Sequence, residues 1–196
     1  LARAAGDEEL AGRWERFYQA FREAVMQRLA RLLPATGGVI TPGFAGLQAT
    51  PVMIPAPDGS GSIPCAGAYG ESGGIDWHNL CTAFPTGVLP ADHPWVTSSL
   101  ARWRHAYVEG TFPYPFNGYY HWIHNYNTLN LSETWLRRGN WAEAVRDLYG
   151  VLLHTSATHA SAEVVDTTGR RDFACTPHNW FSAKLVRFVR DVLVYE

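Results

Sequence analysis

Hydrophobic residues recur every three or four positions in several segments of the chain, which is the spacing of one face of an α-helix. The first such segment runs from Glu8 to Leu33 and ends at Pro34, and the second follows the helix-initiating Pro94. The pattern therefore predicts an all-α fold. The five predicted helices are residues 8–33, 94–110, 119–138 and 140–154, and one that begins at about Asn179.

The links between these helices alternate between short and long. Gly139 ends the third predicted helix, and Asn140 is expected to cap the fourth in a capping box with Glu143. Residues 34–90 and 155–177 are long loops, with a short helix possible at about residues 76–84. Hairpins of this kind stack around a common centre with their long loops at one end. We expect a partial (α/α)6 toroid, built as a single partial catalytic domain over residues 1–196, with the remainder of the same polypeptide upstream.

Composition narrows the classes of partner. The chain has 46% hydrophobic and 17% charged residues and a net charge of -2, without a cluster of basic residues. Neither nucleic acid nor a membrane is therefore an expected partner. The three cysteines form no Cys-x-x-Cys pair, so neither a zinc site nor a disulfide framework is indicated. No cofactor is predicted.

Tryptophan is abundant, with eight residues in 196. Its flat apolar ring stacks on sugar rings, and its indole N–H forms hydrogen bonds. Three tryptophans on helix faces are expected to pack in the core, namely Trp14, Trp103 and Trp135. Three others stand beside polar residues at loop edges, where a sugar pocket and the core are equally good interpretations, namely Trp77, Trp122 and Trp180.

A short segment after Gly74 combines an acid, an indole, an imidazole and an amide. Carboxylates and amides form directional hydrogen bonds with sugar hydroxyls, while an indole covers the apolar face of the ring. This favours a sugar-binding role for the segment. The alternative is that its acid caps a short helix, and the two roles can coexist. The residues are Asp76, Trp77, His78 and Asn79.

Polar aromatic residues are concentrated between Asn117 and Asn127, at the predicted start of the third helix. A purely structural helix rarely uses so many of them, which makes His121 and Trp122 candidates for the same subsite. His121 and His124 are three positions apart and could share one helical face towards a metal. The sequence fixes no acidic third ligand, so no metal site is predicted.

The loop at residues 154–178 carries the densest group of titratable side chains. Glycoside hydrolysis requires two carboxyl groups, one to protonate the leaving oxygen and one to activate water or attack the sugar. Glu163 is the first candidate for the base, and His178 and Trp180 follow at the end of the loop. The alternative is that the acids and arginines of this loop form ion pairs that only fix its conformation.

Three stretches resemble the C-terminal half of the six-hairpin (α/α)6 glycosidase-like superfamily, which includes trehalases, processing α-glucosidases and α-L-rhamnosidases. They are the segment from Trp77 to Leu89, the hairpin from Tyr120 to Leu152 and the segment from Glu163 to Glu196. In the trehalase and α-glucosidase branches, a loop glutamate opens a Glu-x-Tyr-Asp/Asn stretch that reaches Thr-Gly. That glutamate is the general base of an inverting reaction.

The segment from Glu163 to Gly169 is similar to this stretch, with Val165 in place of the aromatic residue. The resemblance implies that Glu163 is the base and that the general acid lies upstream of Leu1, with Asp76 as the internal substitute. The sequence thus predicts an inverting hydrolase of an oligosaccharide or glycoside. The expected subsite is Trp77, His78, Asn79, His121, Trp122, His178 and Trp180.

Two alternatives remain open. The first is a polysaccharide lyase or sugar epimerase on the same toroid, in which histidine and tyrosine transfer protons, because the chain has eight histidines and nine tyrosines. The second is a non-catalytic carbohydrate-binding toroid.

Overall fold

The computed structural model describes residues 1–36, 40, 52–55, 62–65, 79–113, 122–169 and 176–194. The chain divides into two compact units, Leu1–Gly38 and Val39–Glu196, and each is described by itself. The described residues are mostly helical, which confirms the all-α fold class. Their α-helices are α1 (Glu8–Leu32), α2 (Pro94–Ala106), α3 (Asn125–Arg137), α4 (Trp141–Leu153) and α5 (Asn179–Val194).

The first unit consists mainly of α1. The carboxylate of Asp7 caps its first turn by accepting a hydrogen bond of 2.9 Å from the Leu10 N–H. The predicted extent of this helix is confirmed to within one residue, and the chain continues as the 3-10 turn Leu33–Thr36. The expected core position of Trp14 is wrong, since this side chain is 56% exposed.

The second unit has its core where α5 packs against the hairpin of α3 and α4. Gly139, with φ 74°, lets the chain reverse after α3, so that its N–H donates to the Leu136 carbonyl at 2.9 Å. The predicted link is therefore confirmed. The core residues shared by the three helices are Leu129, Leu136, Ala144, Val151, Phe181 and Phe188.

The predicted capping box of α4 is wrong. Asn140 occupies the N-cap position, but its side chain forms no cap hydrogen bond. The carboxylate of Glu143 instead pairs with the guanidinium of Arg104 on α2. A charged partner on a neighbouring helix has therefore replaced the local contact that the sequence suggested.

Two predicted helix boundaries are also wrong. Tyr107 leaves the helical conformation, with φ -58° and ψ 138°, so α2 ends before a turn in which Val108 pairs with Thr111. Residues 119–124 were expected to be helical, but Trp122–Ile123 form strand β3 and His124 caps α3. Trp122 is aromatic and Ile123 is β-branched, and both residue types favour the extended conformation when a second strand is available for pairing.

The long region between α1 and α2 contains some regular structure. Strands β1 (Val52–Pro55) and β2 (Ser62–Cys65) pair antiparallel, with Val52 opposite Cys65. A 3-10 turn at Asn79–Thr82 lies within the range predicted for a short helix.

Strand β3 pairs with β4 (Val165–Asp166) in the second antiparallel ladder. None of the described helices combines the length and the apolar character needed to span a membrane.

Gly150 of α4 marks a close approach between a helix and a turn. A Cβ atom added there would lie 2.5 Å from the carbonyl oxygen of Gly110. We predict that Gly150→Ala lowers the free energy of unfolding by about 1–3 kcal/mol, because backbone must move to admit the methyl group. Guanidinium denaturation followed by circular dichroism measures this change.

Gly12→Ala is the matched control. At that position on α1, the nearest atom to an added Cβ is a flexible Arg16 nitrogen at 3.5 Å, and alanine favours a helix. The control should not destabilise the protein. A Gly150→Ala variant as stable as the wild type would show that the contact with Gly110 is looser than described.

Candidate functional site

Helix α3 is buried although most of its residues are polar. A buried polar group needs a hydrogen-bond partner, so such a helix ties its neighbours in place. The side chain of Asn125 donates to the Ser161 hydroxyl at 3.0 Å, and the Ser132 hydroxyl donates to Asp147 at 2.9 Å. The buried polar residues of α3 are Asn125, Asn127, Thr128, Asn130, Ser132, Glu133 and Thr134.

The start of α3 is joined to the loop that carries Glu163. In the ladder of β3 and β4, Trp122 lies opposite Asp166 and Ile123 lies opposite Val165. The N–H of His178 donates to the Ser161 carbonyl at 2.9 Å. Backbone hydrogen bonds thus bring together the Glu163 loop and the starts of α3 and α5.

Four rings from these helix starts form what we term the imidazole–aromatic cluster, defined by His124, Tyr126, His178 and Trp180. The ring centroids of Tyr126 and His178 are 5.7 Å apart, and those of His178 and Trp180 are 5.9 Å apart. The His124 and His178 rings are 6.4 Å apart. His178 is 6% exposed, whereas Trp180 is 63% exposed. The cluster therefore runs from the interior to the surface.

Lys184 places a positive charge against this cluster. Its Nζ lies 3.8 Å from the centroid of the Tyr126 ring, within the range of a cation–π interaction, and it also donates to the Asn130 side-chain oxygen. Lys184 is one turn beyond Trp180, so both side chains lie on the same side of α5.

Both imidazoles of the cluster favour the neutral form. Burial is the main cause that lowers the pKa of His124 to about 3, and electrostatic interactions with the His178 imidazole and the Lys184 ammonium group add to it. Burial also lowers the pKa of His178, and the negative charge of Glu163 opposes this shift. A neutral imidazole can accept a proton or donate a hydrogen bond, so the cluster is equipped for proton transfer and for binding hydroxyl groups.

The structure brings together part of the predicted site. Glu163 acts electrostatically on His178, and Trp180 contacts His178. Trp122 belongs to the adjoining ladder but is only 5% exposed, which favours a packing role. Asn79 begins the 3-10 turn Asn79–Thr82. The other predicted residues, Asp76, Trp77, His78 and His121, lie outside the described residues.

The Glu163–Gly169 segment forms a strand followed by a tight turn. The carboxylate of Asp166 accepts hydrogen bonds from the N–H of Thr168 at 2.8 Å and from its hydroxyl at 2.6 Å. Gly169 completes the turn with φ 69°. The acid and the threonine therefore stabilise the loop, and Glu163, which is half-buried, precedes that turn.

Three residues of the site were not singled out from the sequence. They are Tyr126, Asn130 and Lys184. The spacing of Trp180 and Lys184, four positions apart on one helix, was the available signal. The contacts of Lys184 with Tyr126 and Asn130 join α3 and α5, and no local pattern predicts such a contact.

A second acidic group lies farther along α3. Glu133 is buried. Its burial and, to a smaller extent, the negative charge of Asp191 on α5 raise the pKa of Glu133, while the pKa of Asp191 is lowered. The two carboxyl groups interact electrostatically across the contact between α3 and α5. The pair therefore joins α3 to α5.

Within the described ranges, no group of three or more histidine, cysteine or acidic side chains is arranged to hold a metal ion.

The comparisons with known proteins support the fold. No model of a protein family matches the chain, and no curated protein is detectably similar to it. A solved structure described as a wild-type glycosidase matches 62% of this chain with a TM-score of 0.52 and 18% sequence identity. The match covers 37% of the length of that glycosidase. At this identity the similarity shows the fold alone, and the chain therefore has a glycosidase-like fold.

The buried state of His124 gives a pH-dependent prediction. Between its folded pKa of about 3 and the unfolded value of 6.5, the unfolded chain binds more protons. The contribution of His124 to the free energy of unfolding therefore decreases as the pH falls through this window, by up to about 1.4 kcal/mol per pH unit.

His124→Asn removes the titration and keeps an N-cap acceptor. We predict that the wild type loses stability relative to this variant when the pH is lowered from about 7 to about 4. Urea denaturation at several pH values measures the difference. A difference that is constant with pH would show that His124 is not buried in its neutral form.

Proposed function

We propose that the protein is a glycoside hydrolase that cleaves an O-glycosidic bond with inversion, and that this chain supplies the C-terminal half of a six-hairpin toroid. The observation that carries the proposal is the electrostatic interaction of Glu163 with His178, whose ring lies 5.9 Å from that of the exposed Trp180, on a glycosidase-like fold. The substrate is an oligosaccharide or a simpler glycoside.

Each described residue has a distinct role in this proposal. Glu163 removes a proton from the attacking water, and its half-buried position keeps it within reach of solvent. Trp180, at 63% exposure, offers its ring as a stacking surface for a sugar. The buried imidazole of His178 forms hydrogen bonds with a sugar hydroxyl.

The proposal assigns Asp76, Trp77, His78, Asn79 and His121 to the same subsite, while the buried Trp122 has a packing role. The general acid comes from the upstream part of the polypeptide, with Asp76 as the internal substitute. For an inverting reaction, its carboxyl group belongs about 6.5–9.5 Å from that of Glu163, so that a water molecule fits between the base and the sugar.

One observation favours a lyase or an epimerase as the second candidate. Tyr126 and His178 lie 5.7 Å apart between ring centroids, and burial favours the neutral form of the imidazole. A tyrosine and a neutral histidine on one sugar can donate and remove the protons of an elimination or an epimerisation. A lyase would release uronic-acid products with a new double bond, which ultraviolet absorbance detects, whereas a hydrolase releases a new reducing end.

The test of the hydrolase proposal is Glu163→Gln in the full-length protein. The amide cannot accept the proton of the attacking water, so we predict a decrease in kcat of about 100-fold or more with little change in KM. Release of reducing ends from a panel of oligosaccharides measures turnover. Product analysis by NMR shows whether the anomeric configuration is inverted.

Glu109→Gln is the matched control, because Glu109 is an exposed glutamate of the same unit outside the cluster. It should retain wild-type turnover. Undiminished activity of Glu163→Gln would refute the assigned base. If the wild type binds glycosides without turnover, the non-catalytic binding toroid is the correct alternative.

A further inference from the structure

The charge around the imidazole–aromatic cluster is positive at its Lys184 end. The ammonium group sits on the face of Tyr126, and its field contributes to the low pKa of His124. Glu163 supplies a negative charge that acts on His178. An anionic ligand group would be repelled near Glu163 and attracted near Lys184. The two charges would therefore orient a bound ligand with its anionic group towards Lys184.

Two helix N-termini add to the positive field. Helix α3 begins at Asn125 and α5 begins at Asn179, next to the two imidazoles. Neither helix has an acidic residue in its first turn, whereas α1 has Glu8 and Glu9 there. The cap of α3 is the neutral His124 rather than a carboxylate, so the partial positive charge of that terminus is not neutralised by its own helix.

Buried polar atoms at the starts of α3 and α5 also lack partners. Within the described part of the chain, Nδ1 of His178 has no hydrogen-bond partner, although the residue is only 6% exposed. Both side-chain polar atoms of Asn127, in the first turn of α3, are likewise without a partner among the described residues. Leaving such groups unpaired costs about 1–3 kcal/mol each, which points to a ligand with polar groups of its own.

We propose that the cluster recognises a sugar that carries a single negative charge, the carboxylate of a uronic acid, with Lys184 as its ion-pair partner and His178 as a hydrogen-bond donor. This inference rests on the proposed sugar site and adds the chemical class of the substrate. The sugar ring stacks on Trp180, and its carboxylate points towards Lys184, away from Glu163. One ammonium group matches one carboxylate in charge.

The test uses matched pairs of methyl glycosides in the gluco, galacto and manno series, in which each pair differs only by a carboxylate or a hydroxymethyl group at C6. Isothermal titration calorimetry on the full-length protein measures the affinities for the two glycosides of each pair. We expect at least one uronide to bind about tenfold or more tightly than its neutral partner. Lys184→Gln should remove this preference, and Lys184→Arg should keep part of it.

Arg146→Gln is the control for net charge, because it removes one exposed positive charge from α4, away from the cluster. It should leave the preference unchanged. Equal affinities within every pair, or a preference that survives Lys184→Gln, would overturn the anionic-substrate proposal alone. If no glycoside of either kind binds, this proposal and the sugar site on which it rests both fail. Circular dichroism of each variant establishes that it is folded.

Discussion

A buried negative charge determines how the helices of the second unit meet. Asp147 of α4 is fully buried, and its carboxylate accepts hydrogen bonds from Arg104 at 2.6 Å, Ser132 at 2.9 Å and Tyr107 at 3.3 Å. Burial raises its pKa to about 6, so desolvation outweighs the stabilising effect of these partners on the charged form. Breaking a buried ion pair such as Arg104–Asp147 costs about 3–5 kcal/mol. The contacts of Asp147 therefore hold α2, α3 and α4 together.

The position of the candidate site follows from this arrangement. Ser132 holds the middle of α3 to α4, and in the first turn of α3 Asn125 donates to the Ser161 hydroxyl and Thr128 accepts from the Phe112 N–H. These buried contacts fix the direction of α3 and hence the place of the rings at its start. Because α5 shares a hydrophobic core with α3, Lys184 and His178 take fixed positions as well.

The sequence was most informative where hydrophobic spacing and helix-ending residues agreed. The extent of α1, the link at Gly139 and the start of α5 followed from such local signals. The start of α3 did not, because the pairing of Trp122–Ile123 with a strand some 40 residues away determines it. Glu143 failed as a cap since Arg104 offered a charged partner. His178 and Trp180 were predicted from their chemistry, whereas Lys184 belongs to the candidate site through contacts between helices.

The ladder of β3 and β4 has a consequence for how the loop sequence can vary. Successive residues of a strand face opposite sides, so a shift of one residue in pairing reverses the side on which each side chain lies. Glu163 stands two residues before the first residue of β4, and the loop between α4 and β4 is further tied by the Ser161–His178 hydrogen bond. The number of residues from Ser161 to Val165 is therefore constrained by the backbone. Related sequences should place insertions and deletions outside this interval.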